Sequence, residues 1–151
     1  MPIISFNKVL AFILCLTAFV SCENSKNLNA KNQAMNLQTI KLQKVTRGNS
    51  SLLQITPSEI TKTREVLGGQ GEAVATKTKA ENWQKIGDLI SKINLNEMAN
   101  WEAPTQERFH DGARITTLEI QANGEVYSSQ AFDEGQPPVQ LKELYDYLES
   151  L

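Results

Sequence analysis

The sequence predicts an α+β domain: an antiparallel sheet built from a strand meander and a β-hairpin, with two helices packed on one face. Three observations lead there. Short alternating apolar/polar runs separated by turn residues fill the stretch from Thr39 to Thr78, an Asn-Gly pair at 123–124 sits between two further alternating runs, and two later segments carry apolar residues at helical spacing. Strands, then a helix, a hairpin and a last helix suit a two-layer fold with one dry sheet face.

Taken in order, Thr39 to Thr46 (TIKLQKVT) alternates as a half-buried strand and Arg47-Gly48-Asn49-Ser50 supplies a turn. Leu52 to Thr56 forms a second strand, and Thr56-Pro57-Ser58-Glu59 a second turn with proline at its i+1 position. Ile60 to Val66 and Val74 to Thr78, rich in Thr and Val, read as two more strands around a Gly68-Gly69-Gln70-Gly71 loop. That loop is no phosphate cradle, because no Lys-Ser/Thr pair follows to open a helix.

The first helix has a start signal and a stripe. Thr78-Lys79-Ala80-Glu81 has the form of a capping box, and Trp83, Ile86, Ile90 and Ile93 recur on one face. Glu81–Lys85 and Asp88–Lys92 are spaced as favourable i,i+4 pairs. Trp83 and Trp101 are read as core residues. Arg114 to Ala122 and Glu125 to Ala131 flank Asn123-Gly124, whose two-residue loop favours type I′ geometry. That loop pairs Ala122 with Glu125, and counting outward puts Ile120 opposite Tyr127, Thr116 opposite Ala131 and Arg114 opposite Asp133. The last helix starts after Pro137-Pro138 and carries Leu141, Leu144, Leu148 and Leu151 as its stripe.

Ahead of the domain lies a targeting segment. Lys8 supplies a positive charge and Val9 to Val20 is an uncharged apolar run of twelve residues, too short to span a bilayer but fitting a secretory signal. Phe19-Val20-Ser21-Cys22 resembles the lipobox of bacterial lipoproteins, with Phe19 where leucine is commonest. The resemblance implies cleavage before Cys22 and lipidation of that cysteine, with two or more acyl chains giving a stable anchor. By the aspartate rule of other bacterial lipoproteins, the resemblance implies that Glu23 after the cysteine disfavours inner-membrane retention, and no clear acidic surface-export run follows; the expected location is the outer membrane, periplasmic or surface-facing. The expected organisation is a signal peptide over 1–21, a lipidated cysteine and flexible tether over 22–38, and one α+β domain over 39–151.

Composition narrows the function. Cys15 falls in the signal and Cys22 carries lipid, so the expected mature domain has no thiol for a disulfide, nucleophile or metal. Without Lys8, 14 basic side chains face 17 acidic ones, which gives no electrostatic footprint for nucleic acid. The expected register gathers one polar cluster at the open end of the hairpin: Arg108, His110, Asp111, Arg114, Asp133 and Glu134. As a hydrolase site it would use His110 as general base oriented by Asp111 or Asp133. No Gly-x-Ser-x-Gly elbow accompanies it. One histidine is too few for a transition-metal or zinc site, and no calcium-loop spacing is present. The plainer reading is a cross-strand Arg114–Asp133 pair with turns at Asp111-Gly112 and Glu134-Gly135.

The blocks Ala103-Pro104-Thr105, Arg108, Asp111-Gly112-Ala113, Phe132-Asp133, Gly135 and Pro137-Pro138 are similar to those of small uncharacterised lipoproteins of Bacteroidetes, chiefly flavobacteria. The likeness covers most of the mature chain and is weaker before Lys79; His110 and Glu134 lie outside its blocks. It implies an envelope compartment and no residue roles. The leading expectation is therefore a membrane-tethered, non-enzymatic binding or accessory module for an envelope protein, peptide or glycan, with no cofactor and no metal. A hydrolase using His110, Asp111 and Asp133, or a structural envelope protein, are the alternatives.

Overall fold

The computed structural model describes residues 35–110 and 112–151. Cys22, the signal segment, most of the tether and Asp111 lie outside the described residues. The sheet is antiparallel, of seven strands: β1 (Leu37–Thr46), β2 (Asn49–Ile55), β3 (Glu59–Val66), β4 (Glu72–Lys77), β5 (Ile115–Ala122), β6 (Glu125–Ser128) and the short β7 (Phe132–Asp133). Their order is β4-β3-β2-β1-β5-β6, with β7 also pairing β5. Two α-helices, α1 (Ala80–Ile90) and α2 (Lys142–Glu149), pack on one face. Three short 3₁₀ turns, η1 (Leu95–Asn100), η2 (Glu107–His110) and η3 (Val139–Leu141), complete the described elements.

Alternation sets the faces. Thr116, Leu118, Ile120 and Ala122 of β5 are buried while the residues between them are not. Across the sheet, Ile60, Ile55, Ile40 and Ile120 share one row, and Leu53, Leu42 and Leu118 the next. Against these rows α1 packs Ile86, Leu89 and Ile90, η1 adds Met98, and the C-terminal segment adds Leu141, Leu144, Tyr145 and Leu148. Each such aliphatic side chain stabilises the fold by about 1.5–3 kcal/mol on burial. Trp83, Ile93, Trp101 and Leu151 are half-buried against this core, as expected of stripe and plug residues.

The helix layer does not reach the far edge. On β3 only Ile60 is buried, and every residue of β4 is exposed. The β2–β4 half of the sheet therefore projects beyond the helices.

Three local expectations are corrected. Thr78 does not cap α1: its hydroxyl donates to the Thr56 carbonyl at 2.8 Å, tying the β2–β3 turn to the end of β4, and the N-cap residue Lys79 makes no side-chain cap bond. A hydroxyl buried at 5 % exposure gains more from satisfying an interior carbonyl than from a helix end that water can reach. Neither i,i+4 pair forms; Lys92 lies past the end of α1 and reaches Glu143 of α2 at 3.4 Å.

The third correction concerns the hairpin. Asn123 and Gly124 take φ of 56° and 82°, the paired positive values of a type I′ turn. The expected register holds from Ala122–Glu125 to Glu119–Ser128. Ser129 then donates its N–H to Leu118 at 2.9 Å, but Leu118 returns its own N–H to the Ser129 hydroxyl at 3.0 Å rather than to a carbonyl. Pairing resumes one residue later, with Thr116 opposite Phe132 and Ile115 opposite Asp133. One extra residue on the departing strand reverses which side chains face inward. The gain is burial of a benzyl group in place of the Ala131 methyl. Phe132 is fully buried, edge-on to Tyr145 with centroids 5.6 Å apart.

Candidate functional site

The slip of one residue decides which charges meet. Asp133 now falls on the sheet face opposite the helices, and Glu134 rather than Asp133 lies beside Arg114. The Glu134 N–H donates to the Arg114 carbonyl at 3.0 Å, and the Arg114 Nε donates to Glu134 Oε2 at 2.8 Å. The expected Arg114–Asp133 pair is thus replaced by two separate clusters.

The first is centred on Asp133, whose residue is 1 % exposed. One carboxylate oxygen accepts the Thr105 hydroxyl at 2.6 Å and the Glu107 N–H at 2.7 Å. The other accepts the Arg108 N–H at 3.0 Å and the Arg108 guanidinium at 3.1 Å. The same guanidinium nitrogen donates to the Thr105 carbonyl at 2.7 Å. A carboxylate from strand β7 therefore caps η2, a turn more than twenty residues earlier in the chain, by satisfying its free N–H groups. Burial alone would raise the Asp133 pKa; the Thr105 hydroxyl, the Arg108 N–H and guanidinium, and the Glu107 N–H outweigh it and lower it to about 2.

The second cluster is a chain of ion pairs on the helix side. Glu134 bridges Arg114 and Lys44, the latter at 3.1 Å, and Lys44 also meets Glu149 of α2 at 2.6 Å. Burial would lower the Lys44 pKa, but its bonds to Glu149 and Glu134 leave it raised. Glu134 is shifted down despite burial, by Lys44 and then Arg114. Beside them the Gly135 N–H donates to the Tyr145 hydroxyl at 2.9 Å, and burial is the main cause raising the Tyr145 pKa. This cluster ties β1, the β7 turn and the C-terminus of α2 together.

The six residues of the expected cluster are thus divided. Arg108 and Asp133 join; Arg114 and Glu134 join; His110 is exposed at the end of η2, and Asp111 lies outside the described residues. Phe109, 67 % exposed, lies with its ring centre 4.5 Å from the Arg108 guanidinium carbon. Among the described residues no three of His, Asp and Glu converge as metal ligands. No helix among them is long and apolar enough to cross a membrane.

The open surface lies elsewhere. A groove of about 320 Å³ runs between the end of α2 (Leu148, Glu149) and the uncovered sheet, floored by Leu53, Lys62, Arg64 and Val74. A second cleft, of about 380 Å³, lies further along, between Arg64 and Arg114. Sequence reasoning missed both, because it placed the two helices on one face without saying which strands they cover. The one available signal was the scarcity of large apolar residues in Glu72 to Lys77, where Val74 stands alone. Comparison with protein-family models, curated proteins and solved structures finds no match to this chain.

Proposed function

We propose that the protein is a lipid-anchored lipoprotein of the cell envelope, whose domain is a non-enzymatic binding or accessory module presenting the projecting β2–β4 half-sheet to its partner. The lipobox-like sequence ending at Cys22 supports the anchor. The observation that carries the binding role is the groove beside α2, which combines apolar Leu53 and Val74 with the cations Lys62 and Arg64 where the sheet runs past the helices. Such a mixture of apolar and charged lining suits recognition of another molecule.

The hydrolase alternative receives less support. Asp133 has both oxygens occupied by four donors belonging to Thr105, Glu107 and Arg108, so it is committed to holding η2 rather than to orienting His110.

Two measurements test the reading. The intact mass of protein extracted from its native membrane should show a chain starting at Cys22 with acyl mass, absent in Cys22→Ser; a soluble chain without acyl mass refutes the anchor. Cross-linking in those membranes should then give a defined adduct that Val74→Arg abolishes. An adduct indifferent to Val74→Arg places binding elsewhere and refutes the half-sheet as the binding face.

A further inference from the structure

Five side chains converge on the second cleft, and the strand register shows that they share one face. Arg64 of β3 pairs with Ser51 of β2, and Thr46 of β1 pairs with Asn49 of β2 one row beyond. Arg114 immediately precedes the Val45–Ile115 pair and so continues the Thr46 row. All five line the same opening.

Two features set this cleft apart. First, its polar groups are available. Among the described residues the side chains of Arg64, Ser51, Thr46 and Asn49 make no hydrogen bond or ion pair, and Arg114 spends only Nε, on Glu134. Second, the carboxylates nearby are already neutralised. Glu134 lies between Arg114 and Lys44, and Glu149 is held by Lys44. Among the described residues Glu72, opposite Arg64 across β3–β4, is the further acid at this end of the face, where Lys44, Lys62, Arg64 and Arg114 meet Glu72, Glu134 and Glu149; Glu125 lies on β6 at the far edge.

We propose that this cleft binds an oxyanion borne by the ligand, a carboxylate, sulfate or phosphate group, clamped between the Arg64 and Arg114 guanidiniums. Planar guanidinium forks match such groups in a way that ammonium groups do not. Ser51 and Thr46 hydroxyls and the Asn49 amide complete the donor set from the sheet floor. The inference rests on the reading of the half-sheet as the binding face and adds the chemistry of what it takes. The groove alongside shares Arg64 and Ser51 with the cleft, so a ligand anchored there by its anion can lay an apolar portion towards Val74 and Leu53.

The test is a titration of the isotopically labelled full chain with phosphate, sulfate and acetate in turn, at constant ionic strength held by chloride. Saturable shifts of the Arg64 and Arg114 Nε–H signals and of backbone amides 46–51 are expected, below the physiological ionic strength of about 0.15 M. Arg64→Gln, which removes a guanidinium without breaking any bond in the fold, should weaken binding about tenfold or more, and Arg64→Lys should restore only part of it. Lys85→Gln on α1 should change nothing. The anion that binds tightest names the ligand group. Shifts scattered over the surface lysines, or equal affinity in Arg64→Gln, overturn the proposal. Absence of any saturable shift, with the membrane adduct still sensitive to Val74→Arg, overturns the oxyanion site while the binding face stands.

Discussion

Replacing Asp133 with asparagine isolates the contribution of one buried carboxylate. In the native protein its two oxygens accept four hydrogen bonds, from Thr105, Glu107 and twice from Arg108. An asparagine keeps one acceptor oxygen, and its NH₂ group turns a donor toward donors on the other side. Two bonds are lost, and the half-buried Arg108 guanidinium loses its counter-charge. Removing one partner of a buried ion pair costs about 3–5 kcal/mol. At about 4 °C per kcal/mol for a domain of this length, the melting temperature should fall by about 12–20 °C. Differential scanning calorimetry of Asp133→Asn reads this directly, with Glu134→Gln as the comparison. Glu134 sits in a wetter ion-pair chain, where such pairs are worth about 1 kcal/mol or less each.

The pH dependence gives a second readout. The folded pKa of Asp133, about 2, lies below its ordinary 3.8, so the charged form stabilises the fold. That contribution is complete above about pH 4 and is lost as pH falls through about 2. In Asp133→Asn the corresponding loss of stability between pH 4 and 2 should disappear. A fall in melting temperature below about 4 °C, equivalent to ~1 kcal/mol, together with an unchanged acid limb, would falsify the assignment of Asp133 as the keystone of η2.

Two further outcomes follow from the same geometry. Thr116 is fully buried and its hydroxyl has no hydrogen-bond partner among the described residues, so Thr116→Val should raise stability by about 1 kcal/mol in urea unfolding; a loss of stability would mean the hydroxyl is satisfied after all. His110→Ala should change the unfolding free energy by no more than about 0.5 kcal/mol and leave the membrane adduct intact, since the side chain is exposed; abolition of a measurable hydrolytic turnover would instead revive the catalytic alternative.

Local chemistry made much of the fold legible. The Asn123-Gly124 turn accepts two positive φ values because its residues tolerate them, and this sets the register for the next four pairs. The stripes through Ile86 and Ile90 and through Leu144 and Leu148 bury because period and apolarity agree along a single helix. Each of these readings depends on residues close in the chain. The export and lipidation expectation likewise rests on contiguous residues, from Lys8 to Cys22.

The charge partners were decided by contacts that no local pattern contains. Counting outward from the turn predicts Arg114 opposite Asp133, but the Phe132 ring competes with Ala131 for the core, and its larger apolar area makes the extra residue at the bulge worthwhile. That single displacement sends Asp133 to the capping of η2 and Glu134 to Lys44 and Arg114. Thr78 shows the same logic: its sequence neighbours offer a helix cap, while the carbonyl of Thr56, twenty-two residues away, offers a partner in the interior. The extent of the helix layer is a tertiary quantity too. Two helices of eleven and eight residues cannot cover six strands placed side by side, so β4 and the part of β2 and β3 beyond Ile55 and Ile60 stay open, and the cleft between Arg64 and Arg114 exists because strands far apart in sequence align their rows on that open part of the helix-side face.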